Sequence, residues 1–334
     1  MSQKIAIIGS GLSGSVLAYY LQKSTSVSLF EKSQGVSGRM STRSFADFEF
    51  DHGAQFFTAR SNKFNEFLLP YLEDRTVVEW KPKILTLEKG KDPFKRLWYE
   101  PHYIAQPKMT SLCKAIASPK DIKFRTRIDR IFQKNDCWSL VSGDEIVGEG
   151  YSWVISATPA IQTRELFDAS GISLNGLSEV KYSPCFSLMV GLSSPVQLNF
   201  DAALVKNSPI KWIAVNSSKI GRSTHKTLVI HSSNSWAQDN LERELSYVQD
   251  QLLRELMDLV GLTEVDVDHI DLTRWRYAKV SKASNQDVCL NSSLKVAACG
   301  DWCLGSRVED AFLSAVDLYE ALTKSLKADD WLKT

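Results

Sequence analysis

Lys4-Ile5-Ala6-Ile7-Ile8 leads straight into Gly9-Ser10-Gly11-Leu12-Ser13-Gly14, a G-x-G-x-x-G turn at the end of a short apolar strand. Gly9 permits the tight exit from the strand, Gly11 lets backbone N–H groups approach a pyrophosphate, and Gly14 lets the next helix lie close to a sheet. The pattern alone is a weak signal, and its context strengthens it. Gly14 opens a helical stretch with Val16, Leu17, Tyr20 and Leu21 on one face, and a second apolar strand, Val27–Phe30, ends in Glu31. An acid about 20 residues beyond the glycines is placed to hold ribose hydroxyls. Residue types and spacing together predict a dinucleotide site rather than a bland Gly-rich strand–helix turn.

The fingerprint does not separate NAD from FAD; the residues after Glu31 do. Lys32 to Arg43 contains a second glycine turn with Arg39, whose guanidinium suits a pyrophosphate or groups near the flavin end of a cofactor. Near the other end of the chain, Gly300-Asp301 follows an apolar strand and precedes a helix. A carboxylate there accepts from ribitol hydroxyls, and the helix N-terminus faces the pyrimidine edge of an isoalloxazine, stabilising negative charge on reduced flavin. The plainer readings are a polar loop with a surface arginine and an ordinary helix cap. The expected cofactor is FAD, bound non-covalently because no cysteine sits in a sequence like a flavin-attachment motif.

The elements that position these groups follow from alternation and punctuation. Ile122–Thr126, Arg130–Gln133, Trp138–Val141, Glu145–Val147 and Trp153–Ala157 read as strands broken by Asn135-Asp136 and Ser142-Gly143-Asp144. Trp153–Ala157 is apolar enough to be buried on both faces, and Pro159 stops it. Beyond Ile161 come β-rich segments, Phe186–Leu192, Trp212–Val215 and Leu228–His231. A helix follows, with Leu241, Leu245, Val248, Leu252, Leu256 and Val260 on one stripe and Gly261 at its C-cap. The strand Leu294–Cys299 and a helix over 308–326 close the chain. The expected fold is α/β, α+β overall. A discontinuous Rossmann-type FAD-binding domain (1–75, 105–160 and 284–334) carries an inserted substrate domain of mixed or antiparallel sheet plus helices (76–104 and 161–283).

Composition narrows the partners. At 334 residues the chain is long enough for two interlocked cores. A net charge of +1 gives no electrostatic footprint for nucleic acid or an anionic membrane, and no stretch reaches the roughly 18 apolar residues of a spanning helix. Cys113, Cys137, Cys185, Cys289, Cys299 and Cys303 include no C-x-x-C pair, as expected of reduced thiols in the cytoplasm. His52, His102, His225, His231 and His269 show no metal-like spacing, so no metal is expected.

Several longer runs carry a resemblance: Gly38–Arg43 (GRMSTR), Phe50–Arg60 (FDHGAQFFTAR), Arg274–Ala278 (RWRYA), and Gly300-Asp301 with Arg307–Ser314 (RVEDAFLS). Together with the glycine turn and Glu31 they resemble the bacterial renalase family of amine-oxidase-fold flavoproteins, in order along the whole chain. The resemblance implies non-covalent FAD and oxidation of dihydronicotinamide dinucleotides, with electrons passed to O2 to give hydrogen peroxide. It places Gly9, Gly11, Leu12, Ser13 and Gly14 at the pyrophosphate, and Glu31 with Lys32 at the adenosine ribose. Arg39, Met40, Gln55 and Phe56 fall to the flavin half, Ile128 near adenine, and Gly300, Asp301 and Val308 at the ribitol and ring edge. Trp275 and Tyr277, with Trp236, Arg276, Gln55 and Lys108, are the implied substrate pocket, against a core role for each aromatic.

Three departures stand out. Ser37 replaces the first glycine of a G-G-R turn, a change that is tolerable if its φ is below zero. Thr273 stands where a His is common, and Lys108 where a small residue is common. No Ser-His-Asp, Cys-His or paired-carboxylate pattern is visible, which suits hydride transfer from a dihydronicotinamide, a step that needs no acid or base. A flavin amine oxidase or desaturase on the same fold, and a flavin-binding redox sensor without turnover, remain as alternatives.

Overall fold

The computed structural model describes residues 3–117, 121–193, 196–284, 286 and 288–331, with side chains to 325. Two sheets organise it. The first has six strands in the order Cys289–Asn291, Val296–Ala298, Trp153–Ser156, Lys4–Ile8, Ser26–Phe30, Ile122–Lys123. All neighbours are parallel except Cys289–Asn291. Trp153–Ser156 is buried throughout, because a central parallel strand has apolar layers on both faces. The helices Leu12–Leu21 and Val308–Trp331 cover one face together: Ser13 Oγ donates to Ala311 O at 2.8 Å and Tyr20 stacks on Tyr319 at 5.1 Å.

The second sheet has seven strands, ordered Val267–Lys282, Lys181–Leu192, Thr227–Ser232, Ile210–Val215, Ala202–Lys206, Ile84–Glu88, Phe94–Lys95. It is antiparallel except where Ala202–Lys206 runs parallel to Ile84–Glu88. On one face Phe186, Leu188, Ile213 and Ile230 pack against Val248, Leu252 and Leu256 of the helix Leu245–Val260. Its opposite face carries Cys185, Trp212, His231 and Trp275, set by the register Cys185↔Trp275 and Trp212↔His231. The strands of the first sheet come from 4–30, 122–156 and 289–298, and those of the second from 84–95 and 181–282.

Some expected boundaries move for local reasons. Only Ile122–Lys123 pairs within the expected strand 122–126, because Arg125 takes a left-handed φ of +52° and turns the chain back onto Ser33 O. The helix begins at Leu245, after Glu244, and leaves Leu241 outside, while Gly261 ends it at φ +71°. Lys295, at φ +55°, delays the last strand to Val296. Asn135 and Asp136, at φ +52° and +58°, form a hairpin turn of the mirror-image type that twisted strands favour.

Candidate active site

A cleft of about 1770 Å³ lies between the carboxyl ends of the first sheet's strands and the Trp212–His231–Trp275 face of the second. Ligands in open parallel sheets bind in this position, outside the strand ends. Gly9 leaves its strand at φ +98°, a conformation that disfavours any side chain. A Cβ on Gly14 would overlap Gly9 O, whereas one on Gly11 would find its nearest atom, Gly38 Cα, at 4.0 Å. Gly14 therefore brings helix and strand together behind the cleft, and Gly11 keeps its mouth open. No side chain caps the first turn of the helix Leu12–Leu21, so its amides face the cleft with the positive end of the helix dipole.

The second glycine turn closes on the first: Ser37 N–H donates to Ser10 O at 3.0 Å, and Gly11 and Ser37 form a bridge. Ser37 corrects an expectation. Its φ is +119°, not negative, and its side chain is buried beside Cys113. Serine thus occupies a backbone position suited to glycine, held by the packing of the two turns. Glu31 ties the same region together: one carboxylate oxygen accepts from Ser10 N and Ser10 Oγ, both at 2.9 Å, and the other from Ser33 N at 2.8 Å.

Arg39 and Asp301 meet. Arg39 Nη2 lies 2.5 Å from Asp301 Oδ1, and Nη1 reaches Tyr277 O at 3.4 Å. Burial opposes the guanidinium charge, but Asp301 outweighs it and holds Arg39 above its ordinary pKa. The pair closes one end of the cleft and joins three distant segments there.

Behind the cleft wall, Asp51 is the hub of a fully buried ionic cluster. Arg222 Nη2 and Nε lie 2.7 and 3.0 Å from Asp51 Oδ2, and Lys219 Nζ lies 3.2 Å from it. Asp51 Oδ1 accepts from Thr42 Oγ1 at 2.7 Å and Met109 N at 3.1 Å. Burial raises the cost of this charge, yet Lys219 and Arg222 prevail and depress the Asp51 pKa. Burial also lowers Lys219 to about 8 despite Asp51.

Gln55 belongs to this cluster, which corrects its assignment to the cleft. Its Oε1 accepts from Lys219 Nζ at 3.2 Å, and its Nε2 donates to Asp51 O and to Gly53 O. These bonds draw the amide into the cluster, where its Nε2 also lies 3.5 Å from Nε2 of the cleft residue His231. Trp236 is also misplaced: it lies in the short helix Asn234–Asp239 and packs edge-on to Phe186, on the far face of the second sheet.

The remaining expected residues come together in the cleft lining: Gly9, Gly11, Leu12, Ser13, Glu31, Lys32, Arg39, Met40, Ile128, Gly300, Asp301 and Val308, with Phe56 packed on Trp212 of the second sheet, and Trp275, Arg276, Tyr277 and Lys108 also in the lining. Gly14 lies behind this lining. Trp275 Nε1 donates to His52 O at 3.0 Å, fixing its indole beside the His52 ring. Lys108 pairs with Glu49 at 2.5 Å, and Arg276 with Glu242 at 2.5 Å.

Trp212, His231 and Lys219 were missed. Trp212 and His231 sit in runs read as strands, and strict alternation from Trp275 through the register would have placed both on the cleft face. No local pattern marks Lys219, which lies in a polar turn. Burial pushes both cleft histidines down to about 4, with Arg43 adding to the effect on His52 and Lys219 to that on His231, so both are neutral at pH 7. Among the described residues the cleft is lined by eleven Lys and Arg against four Asp and Glu. No cluster of three or more His, Cys, Asp or Glu among them could hold a metal ion, and no helix is long and apolar enough to cross a membrane.

Residues 7–69 match the family described as NAD(P)-binding Rossmann-like domain. Solved structures share the fold of the whole chain. A putative protoporphyrinogen oxidase from Exiguobacterium sp. 255-15 superposes with a TM-score of 0.76 at 11% identity, covering 98% of this chain and 99% of that one. Cyclohexylamine oxidase from Brevibacterium oxydans IH-35A gives 0.72 at 11% identity, over 98% and 100%. Putrescine oxidase bound to putrescine gives 0.69 at 12% identity, over 98% and 99%. The chain therefore has the fold of these oxidases, with a Rossmann-like unit over residues 7–69.

Proposed function

We propose that this protein is a renalase-like FAD-dependent oxidase that converts dihydronicotinamide dinucleotide isomers to the aromatic nucleotide. The observation that carries the reading is that the cleft acids are already engaged and leave little to receive a substrate ammonium: Glu31 accepts from Ser10 and Ser33, Asp129 pairs with Arg127 and Asp301 with Arg39. An ammonium substrate lacks a free counter-charge there, whereas hydride transfer from a dihydronicotinamide needs none. The fold likeness to two amine oxidases favours the amine-oxidase alternative only at the level of architecture.

The residues fit FAD. The uncapped turn at Gly11–Ser13 and the open face of Gly11 suit a pyrophosphate, Glu31 a ribose, and Asp301 a ribitol hydroxyl. FAD, when bound, supplies a hydride acceptor that returns its electrons to O2 as hydrogen peroxide. The protein's own part is orientation and water exclusion. Trp275, Tyr277 and Phe56 wall the reacting region, Arg39 holds positive charge beside it, and neutral His52 and His231 neither donate nor take a proton. Aromatisation of the dihydronicotinamide ring drives the step without them.

The test is anaerobic stopped-flow mixing of the holoprotein with isomers of dihydro-NAD and dihydro-NADP, benzylamine and a catecholamine, following the flavin band. Fast bleaching by dihydronicotinamides and not by amines is expected. Bleaching by amines alone would transfer the assignment to an amine oxidase, and a flavin that no small molecule reduces would point to a redox sensor.

A further inference from the structure

The edge of the seven-stranded sheet carries an aromatic strap that no packing accounts for. Trp212 pairs with Leu204, Leu204 with Thr86 and Thr86 with Phe94, and cross-strand partners share a face, so Phe94 stands on the same face as Trp212. Four residues on, the Trp98 ring lies edge-on to three others, 5.6 Å from Phe56, 6.3 Å from Trp212 and 4.1 Å from His102. Phe56 and Trp212 line the cleft, and Trp98 therefore continues its wall outward. The strap stays open to water: Phe94 is 53% exposed, Leu97 62%, Trp98 36% and Tyr99 90%. Large apolar side chains gathered at a cleft mouth in this way mark a surface that receives something. Cations accompany the rings. Arg96 lies 5.7 Å from the Trp98 ring centre and Lys206 5.6 Å from that of Phe94, and neither forms an ion pair among the described residues. The neighbouring acids are taken, Glu100 by Arg60 in a two-point contact at 2.7 and 2.8 Å and Glu88 by Lys91 at 2.7 Å.

We infer that this strap is a subsite for the adenylate half of the incoming dinucleotide, with the adenine stacked on Trp98 beside Phe94 and its phosphate met by Arg96. The inference rests on the proposed reading that the substrate is a dihydronicotinamide dinucleotide. In that reading the cofactor's own adenosine is held on the first sheet, at Glu31, so the substrate's adenosine needs a second place. Exposed rings with an uncommitted cation over each supply the two things a nucleotide asks for, a stacking face and a counter-charge for its phosphate. Trp212, paired with His231, links the reacting region to the strap. Stacking of the adenine is the same whichever dihydronicotinamide isomer is attached and is made equally before and during hydride transfer. The subsite therefore strengthens binding of every isomer, leaves the limiting rate alone, and gives a simple amine nothing.

The test compares a dihydro-NAD isomer with the matching dihydronicotinamide mononucleotide, which lacks the adenylate, by anaerobic flavin reduction in the FAD-bound protein. Trp98→Ala should raise the half-saturating concentration of the dinucleotide about fivefold to a hundredfold, the value of one base stacked on an aromatic ring. It should leave the mononucleotide's half-saturation and both limiting rates unchanged. Phe94→Ala, at a side chain already half in water, reads the same subsite without disturbing the packing under Trp98, and should show a smaller rise for the dinucleotide alone. Equal rises for dinucleotide and mononucleotide would overturn the subsite and leave Trp98 a wall of the cleft, and so would no change in either. Titration calorimetry of the holoprotein with AMP separates this inference from the reaction it rests on. A flavin that no dihydronicotinamide reduces, together with AMP binding that Trp98→Ala abolishes, would sink the reaction and keep the adenylate subsite. Normal dinucleotide turnover with no AMP binding and no response to Trp98→Ala would do the reverse. A shift from dimer to monomer in Phe94→Ala, with nucleotide binding unchanged, would assign the strap to contact between two copies of the chain.

Discussion

Replacing Asp51 by Asn keeps its shape and removes its charge, leaving Lys219 and Arg222 buried with no carboxylate between them. Both side chains are essentially inaccessible, as is that of Asp51. Removing one partner of such a cluster costs about 3–5 kcal/mol, because the remaining charges stay in a medium that solvates them poorly. Unfolding entropy near 2.1 cal/mol/K per residue gives about 0.7 kcal/mol/K for this chain, so the melting temperature should fall by about 4–7 °C. Lys219→Met should cost much less. The two Arg222 N–H bonds to Asp51 Oδ2 survive it, and Lys219 is a reluctant cation whose pKa is already down to about 8. The sign of that shift adds a second signature. Between pH 8 and 10.5 the unfolded chain holds a proton on Lys219 that the folded chain has lost, so this group makes stability rise with pH across that window, and Lys219→Met should remove the rise. Differential scanning calorimetry from pH 7 to 10, with urea titrations at each pH, measures both effects. A loss below 1 kcal/mol in Asp51→Asn, or an equal loss in Lys219→Met, would refute the account of Asp51 as the hub.

The two glycines should separate: Gly14→Ala should unfold or severely destabilise the protein because its Cβ overlaps Gly9 O, whereas Gly11→Ala should leave the FAD-free melting temperature unchanged and raise the FAD dissociation constant at least tenfold. Equal behaviour of the two in thermal melts and flavin titrations would contradict the division of labour. Ser37→Gly should raise the urea midpoint by a stabilisation of about 1 kcal/mol, by relieving φ +119°, and a lowered midpoint would show that Ser37 is unstrained. Acid should destabilise the fold steeply. Burial holds His52, His102 and His231 near 4, against about 6.5 when unfolded, so the unfolded state takes up more protons and stability falls as pH drops from 6.5 towards 4. Three such groups give a slope of up to about 4 kcal/mol per pH unit, and urea midpoints that stay flat between pH 6.5 and 5 would argue that these rings are solvated.

The first-sheet half of the site was legible because its chemistry is local. Gly9, Gly11 and Glu31 act through backbone conformation and a single strand–helix–strand unit, and such units print their pattern on consecutive residues. The pairing of Arg39 with Asp301 was not, since nothing within 262 positions links them. Each had been read as a separate ligand contact, and the fold makes them neighbours first. Gln55 and Trp236 failed for one reason: a polar or aromatic side chain near functional residues can point to either side of its backbone, and only the register of a sheet or the partners of an amide decide which. The buried Asp51 cluster is the clearest case. A charged triplet drawn from 51, 219 and 222 looks, residue by residue, like ordinary surface.

The first sheet sets an order on the birth of the molecule. Lys4–Ile8 and Ser26–Phe30 leave the ribosome early, yet Trp153–Ser156 and then Val296–Ala298 must arrive before the strand ends beneath the cleft have their full set of neighbours. At about 5–20 residues per second, the nearly 300 residues that separate the first strand from Val296 take roughly 15–60 s to emerge. For that interval the glycine turn exists without Asp301, so a growing chain can display the fingerprint long before it can retain a cofactor. Loading with flavin is therefore expected only once Asp301 has emerged, and a nascent chain stalled before residue 300 should be colourless however much FAD surrounds it.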